Sequence, residues 1–141
     1  MDAIKLKSIL TGRRADLSGA NLRGAELHGA CLPRFIIIPE QGSFIAWKKG
    51  DNSHLIKIRI PAKAKRTSSL VGRKCRAEFV KVLEIWDSEG EKVNSCGGWH
   101  QSSFLYTVGE TVYPDSYDPD IRVECSHGIH FFVTKEEALN F

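Results

Sequence analysis

Residues 54–60 read His-Leu-Ile-Lys-Ile-Arg-Ile, and residues 79–86 read Phe-Val-Lys-Val-Leu-Glu-Ile-Trp. In the first stretch three isoleucines alternate with Lys57 and Arg59, which is the period of two that a strand with one buried face shows. In the second, valines flank Lys81 in the same way, and the longest strand signal runs over residues 74–86. These stretches predict a sheet with a basic outer face.

Shorter segments of the same kind follow along the chain, separated by Gly, Pro, Asn and Asp. Residues 63–72 are polar and predict a loop or a single helical turn, and residues 87–90 predict a hairpin turn. Thr134, followed three residues later by Glu137, predicts an N-cap that opens a final helix through Leu139. The other predicted strands are Ser43–Lys48, Ser103–Val108, Glu110–Tyr113 and Ile129–Val133. The fold class is therefore mainly β with a minor α component, a mostly antiparallel domain over residues 35–141.

Composition places the chain among globular proteins. It has 141 residues, of which 42% are hydrophobic and 26% charged, the values of one ordinary domain. The longest apolar run, residues 35–38, is far too short to cross a membrane. Four cysteines lie far apart and form no Cys-x-x-Cys pair, which favours a reducing compartment. We therefore expect a cytoplasmic protein with no membrane partner and no cofactor.

A five-residue repeat occupies residues 15–34. Leucine recurs at positions 17, 22, 27 and 32, and alanine stands two residues before each leucine. A period of five fits neither a helix nor a strand. The segment resembles the pentapeptide-repeat family, which implies one turn of a square coil. Because a single turn cannot bury a continuous core, we expect the turn, in the N-terminal segment of residues 1–34, to pack on the domain that follows, on residues 2–10 or on another subunit.

A second resemblance covers most of the remaining chain. Residues 43–49, 72–77, 103–110 and 125–138, which begin Ser-Phe-Ile-Ala, Gly-Arg-Lys-Cys, Ser-Phe-Leu-Tyr and Cys-Ser-His-Gly, occur in an order similar to a bacterial and phage domain family. Members of that family often follow pentapeptide repeats, and their function is unknown. The resemblance implies an architecture and a phage or mobile-element setting, and it implies no reaction.

Charge is divided unevenly along the chain. Residues 1–86 contain 17 Lys and Arg against 7 Asp and Glu, whereas residues 87–141 contain 3 against 10. The basic run, residues 57–76, has eight cationic side chains and no acid. The positive charges in such a run repel one another unless they are compensated. The compensating group is either a phosphate-bearing ligand or the acidic C-terminal third, of this chain or of a second subunit; otherwise the run is only solvated.

The ligand interpretation names specific side chains. Guanidinium groups match phosphate oxygens in pairs, so the predicted phosphate contacts are Arg66, Arg73, Lys74 and Arg76. A nucleobase needs an aromatic surface, and the predicted stacking residues are Trp47, Trp99 and Tyr106.

Residues 128–134, Gly-Ile-His-Phe-Phe-Val-Thr followed by a short helix, are similar to part of the ADP-ribosyltransferase fold. That resemblance implies a nucleotide-sized groove that holds His130 and, from an earlier strand, Lys48. The catalytic glutamate that such enzymes place downstream has no counterpart here, since Glu136 and Glu137 stand in the wrong position. Lys48 and His130 therefore join the candidate ligand-binding residues, and no catalytic residue is assigned.

Cysteine and histidine offer one further possibility. Cys96 with His100, and Cys125 with His127, supply two thiols and two imidazoles, a set that zinc accepts. The spacings match no standard zinc motif, and the competing interpretation is that the cysteines are small buried apolar residues.

The leading functional hypothesis is a non-enzymatic phage or mobile-element protein that captures an anionic ligand, a nucleotide or nucleotide-like signal, and thereby blocks a host defence. One alternative is an inhibitor that docks directly on a host protein. The other is an ADP-ribosyltransferase-like enzyme that uses NAD. The charge asymmetry and the open ends of a single repeat turn also favour a closed homo-oligomer.

Overall fold

The structure is a computed structural model, and it describes residues 36–70 and 72–141. The predicted pentapeptide coil and its packing on the domain lie outside these residues. The described part contains antiparallel strands and one short α-helix, so the prediction of a mainly β fold is confirmed.

Ten strands occur in the described residues. They are β1 (Phe44–Lys49), β2 (Leu55–Ile60), β3 (Arg66–Ser68), β4 (Cys75–Ala77), β5 (Val80–Trp86), β6 (Lys92–Val93), β7 (Ser95–Gly97), β8 (Leu105–Thr107), β9 (Thr111–Val112) and β10 (Ile129–Phe131). A 3-10 turn (Asp51–Ser53) joins β1 to β2, and the helix α1 (Lys135–Leu139) ends the domain.

The strands form three small sheets. The largest has the order β1-β2-β5-β6 with β9 also paired to β5, the second has the order β10-β4-β3, and the third is the β7-β8 pair. Ile56, Ile58 and Ile60 of β2 are fully buried while Arg59 is exposed, as the alternation predicts. The three isoleucines form the centre of the core with Val80, Val82 and Phe131.

Strand β5 departs from simple alternation at one point. Its register on β2 pairs Lys57 with Glu84 and Ile58 with Val82, so Leu83 is an extra residue. Such a bulge shifts the phase of the strand. It explains why Val82 and Ile85, three residues apart, are both buried in the same core.

The long strand predicted over residues 74–86 is wrong, because the segment forms two strands in different sheets. Strand β4 ends at Ala77, and the chain then turns where the Glu78 N–H donates to the Lys65 carbonyl at 2.8 Å. The loop predicted over residues 63–72 is corrected in the same region. Arg66–Ser68 is β3, which satisfies the free edge of β4.

The end of the chain follows the predicted pattern. The Thr134 hydroxyl accepts a hydrogen bond from the Glu137 N–H at 3.2 Å and caps α1. The turn at residues 87–90 also forms, because the Asp87 carboxylate accepts from the Glu89 and Glu91 N–H groups, each at 2.9 Å. No helix in the described ranges is long and apolar enough to cross a membrane.

Arg76 is the largest fully buried side chain of the described domain. Its guanidinium donates only to backbone carbonyls of the segment between β9 and β10, namely those of Asp118 (2.6 Å), Asp120 (2.5 Å), Val123 (2.6 Å) and Glu124 (3.3 Å). These four hydrogen bonds fix residues 118–124 of that segment to β4.

We expect Arg76→Ala to destabilise the domain by about 3 kcal/mol or more, since each buried carbonyl left without a donor costs about 1–3 kcal/mol. The measurement is urea unfolding followed by tryptophan fluorescence. Arg59→Ala is the matched control, because Arg59 is exposed on β2 and should change stability by no more than about 0.5 kcal/mol. Equal stability of the two variants would contradict this role of Arg76.

Candidate functional site

A cleft opens where the three sheets meet at the end of β1. Trp47 of β1 exchanges backbone hydrogen bonds with Phe132, at 2.9 and 2.7 Å, which joins the first sheet to the second. Gly50, just beyond β1, forms a bridge with Gly98 and so joins the first sheet to the β7-β8 pair. Strand β1 therefore fixes all three sheets around its own carboxyl end.

The cleft has a volume of about 480 Å³, within the range of small-molecule sites. Three lysines and five aromatic residues dominate its walls. The lysines are Lys48, Lys49 and Lys74, and the aromatic residues are Trp99, Phe104, Tyr106, Phe132 and Phe141.

Each lysine of the cleft lies against an aromatic ring. The Lys48 ammonium is 4.8 Å from the centre of the Tyr106 ring, and the Lys74 ammonium is 4.4 Å from that of Phe141. The Lys49 ammonium is 4.5 Å from the Trp99 ring. These are cation–π distances, which hold an ammonium in place without neutralising it.

Lys48 and Lys74 are exceptional because they are buried, with only 9% and 7% of their surface exposed. Among the described residues no carboxylate lies within salt-bridge distance of either ammonium. Burial lowers the pKa of Lys48 to about 8, with Lys74 adding to the shift and Cys96 opposing it. The cleft thus holds two buried ammonium groups without a counter-ion from the described chain.

His130 completes the wall between these lysines. Its Nε2 is buried and has no hydrogen-bond partner in the described structure. Burial, together with the positive charges of Lys74, Lys48 and Arg76, lowers the pKa of His130 to about 4, while a backbone hydrogen bond to Ser126 opposes the shift. At neutral pH the ring is uncharged.

Five of the predicted ligand-binding residues line this one cleft. They are Lys48, Lys74, Trp99, Tyr106 and His130. They come from different strands and loops, and the sheet junction at β1 brings them together.

The predicted arginines do not line this cleft. Arg76 is fully buried on carbonyl groups. Arg66 donates to the carbonyls of Gly42 (2.7 Å) and Pro61 (2.8 Å), and its guanidinium lies 5.3 Å from the Phe44 ring. Both guanidiniums are occupied by the fold itself.

Arg73 and Trp47 also lie outside the cleft. Arg73 forms two hydrogen bonds of 2.8 Å with the Glu137 carboxylate, and this pairing is the main reason why the pKa of Glu137 is low. The Trp47 ring stacks on Trp86 at 6.0 Å. The positive charge of the basic run is therefore partly compensated by the acidic C-terminal third, through the Glu137 carboxylate and through the carbonyl groups that bind Arg76.

Several cleft residues were missed by the sequence analysis, among them Lys49, Phe104, Phe132 and Phe141. One signal was available for Lys48, which shares the inward face of β1 with the buried Ala46. A lysine at an inward position of a strand is rare unless it serves a partner. The aromatic residues carried no such signal, because core packing explains them equally well.

The four zinc ligands considered from the sequence do not assemble in the described structure. His127 pairs with Asp115 at 3.2 Å, and Cys125 lies 3.5 Å from the Lys74 ammonium. His100 contacts the rings of Trp99 and Phe141. Cys96 lies instead beside Asp51 and His54.

The buried, uncharged His130 predicts a specific acid sensitivity. Between about pH 6.5 and about pH 4 the unfolded chain binds a proton at this position that the folded chain does not, so the free energy of unfolding falls as the pH falls through this window. We expect His130→Gln to flatten the dependence in urea unfolding at several pH values. His100→Gln, at an exposed histidine, should keep the wild-type slope. An unchanged slope in His130→Gln would show that the ring titrates normally in the fold.

Comparison with known proteins places both parts of the chain. A model of pentapeptide repeats matches residues 13–36, and a model of DUF5758, a family of unknown function, matches residues 34–138. No curated protein and no solved structure matches the chain. The predicted order of a pentapeptide-repeat segment followed by a family of unknown function is confirmed. Because the second match covers more than half of its length, the chain belongs to the DUF5758 family.

Proposed function

We propose that the cleft binds a small anionic ligand that carries a planar group, and that this ligand is a nucleotide. The observation that carries the proposal is the unpartnered, buried Nε2 of His130 between two buried lysines. Buried polar groups in proteins are nearly always satisfied, so a group left open at a cleft wall indicates a place for a ligand atom.

Charge supplies the first part of the recognition. Desolvating an ammonium is costly, and the cost is recovered only when an anion or a set of acceptors meets it. Lys48 and Lys74 contact aromatic rings and no described carboxylate. An anion in the cleft would meet two ammonium groups whose positions are already fixed, so little order would be lost on binding.

The aromatic walls supply the second part. Tyr106 and Phe104 pack with their ring centres 5.3 Å apart on one side, and Phe132 and Phe141 are 5.2 Å apart on the other. Trp99 is 39% exposed at the mouth of the cleft. A planar heterocycle that stacks on such a surface gains about 1–3 kcal/mol, and a simple inorganic anion gains none of it.

His130 supplies the third part. Because the ring is uncharged and its Nε2 has no partner, the ligand must place a hydrogen-bonding group beside it. A nucleotide offers such groups on its base and on its ribose, within the same molecule as its phosphate. The combination of an anion, a planar group and further hydrogen-bonding groups favours a nucleotide over a free phosphate or a fatty acid.

The positions of the carboxylate side chains favour binding of the ligand without a chemical reaction. Of the carboxylates in the described chain, only Asp115 borders the cleft, and its side chain is 76% exposed and paired with His127. The NAD-using alternative needs a carboxylate set against the bound ribose, and Glu137 is engaged by Arg73. The inhibitor alternative needs a flat surface and gives no reason for an open buried Nε2.

The test is calorimetric titration of the full chain with adenosine monophosphate and with adenosine. We expect the monophosphate to bind, and we expect adenosine to bind more weakly by a factor of about ten or more, because a hydrogen bond to a charged group contributes about 1.5–3 kcal/mol. Lys74→Met should abolish the difference between the two probes. Lys81→Met is the matched control, since it removes one positive charge at an exposed position of β5 and should leave both affinities unchanged.

Two results would contradict the proposal. One is equal binding of adenosine and its monophosphate by the wild-type chain. The other is an equal loss of affinity in Lys74→Met and Lys81→Met, which would indicate attraction by net charge rather than by the cleft.

A further inference from the structure

A second cluster of reactive side chains lies on the 3-10 turn and on β7. The Cys96 thiol, the Asp51 carboxylate and a ring nitrogen of His54 all lie within 4.8 Å of one another. The His54 Nδ1 and the nearer Asp51 oxygen are 3.7 Å apart. None of these three residues lines the cleft described above, so the cluster is independent of the proposed function.

The backbone is shaped to bring the three residues together. Asn52 and Ser53 both have positive φ, 46° and 61°, which is uncommon for residues other than glycine. The chain therefore reverses within four residues and sets His54 beside Asp51. The Gly50–Gly98 bridge then holds this turn against β7, which carries Cys96.

Two glycines allow the close approach. A Cβ at Gly50 would lie 2.8 Å from the Cys96 Sγ, and a Cβ at Gly97 would lie 2.5 Å from the Asp51 Oδ2. Both distances are too short for a side chain. Glycine at these positions leaves the space around the thiol and the carboxylate that the cluster occupies.

Hydrogen bonds orient two members of the cluster from outside. The Asp51 Oδ1 accepts from the Gly97 N–H at 3.0 Å, and the His54 Nδ1 lies 2.7 Å from the Asp51 carbonyl oxygen. A carbonyl only accepts, so Nδ1 carries the hydrogen and Nε2 keeps its lone pair. A carbonyl group on one ring nitrogen and a backbone N–H on the carboxylate are the supports that metal ligands typically have.

We propose that Asp51, His54 and Cys96 form a zinc site with one open coordination position. Thiolate, imidazole and carboxylate are zinc ligands, and three protein ligands with a fourth position left to water is a common zinc arrangement. The thiol makes magnesium and calcium unsuitable, since both require oxygen ligands.

The distances fit this metal after a small adjustment. Zinc bonds of about 2.0–2.3 Å in a tetrahedron separate the ligand atoms by roughly 3–4 Å. The three ligand atoms lie within 4.8 Å of one another, so the widest separation in the cluster needs to close by about 1 Å. Binding converts the thiol to a thiolate, and its proton leaves to the buffer.

The test uses the full chain, dialysed against a chelator and titrated with Co²⁺ as a spectroscopic substitute for Zn²⁺. We expect one Co²⁺ per chain, a thiolate-to-cobalt charge-transfer band in the near ultraviolet, and displacement of that band by Zn²⁺. Cys96→Ser should lose the band while Cys125→Ser, at an exposed thiol, keeps it.

His54→Gln guards against a folding artefact in Cys96→Ser. This variant retains the thiol and should keep the circular dichroism spectrum of the wild-type chain. We expect its affinity for Co²⁺ to fall by more than the ~10–100-fold that follows from losing a group that only supports a metal ligand. A folded wild-type chain without the band, or a band that disappears in Cys125→Ser instead, would overturn the proposal.

Discussion

Much of this structure depends on the buried guanidinium of Arg76. It is fully buried, and it donates to four carbonyl oxygens of residues 118–124, in the segment between β9 and β10. Its neighbour across the β4-β10 ladder is His130. The same interaction therefore fixes the segment before β10, holds the strand that carries His130, and places a positive charge behind the cleft.

The three predicted arginines and the two buried lysines serve different partners. The planar fork of an arginine matches several acceptors at once, and Arg66 and Arg76 use it on carbonyl groups while Arg73 uses it on Glu137. Lys48 and Lys74, each with a single compact charge, face the cleft and rest on aromatic rings. These three arginines support the fold, and these two lysines are available to a ligand.

Much of the fold could be predicted from the sequence, because it rests on local patterns. The isoleucines of β2 and the Thr134 cap depend on neighbours in the chain, and both formed as expected. The break after Ala77 could not be predicted, since nothing local distinguishes residues 74–86 from one continuous strand. The break depends on a hydrogen bond from Glu78 to Lys65, which only the tertiary structure supplies.

The site was predictable to a lesser degree, for a physical reason. A run of positive charge shows that anions or acceptors must be near, and it does not show which atoms they are. Carbonyl oxygens satisfy a guanidinium as well as a phosphate does, and they leave no trace in the sequence. Lys48 and His130 were assigned through a family resemblance, and their meeting in one cleft depends on the two backbone bridges made by β1 and Gly50.

The central claim is that the cleft holds an anionic small molecule. Native mass spectrometry of the full chain purified from cells, followed by denaturation and identification of what is released, tests it most directly. The account predicts a fixed number of small anionic molecules per chain with the ultraviolet spectrum of a nucleobase, and their loss from Lys74→Met. A chain that is bare as purified, and that stays bare after incubation with a small-molecule extract of cells, would contradict it.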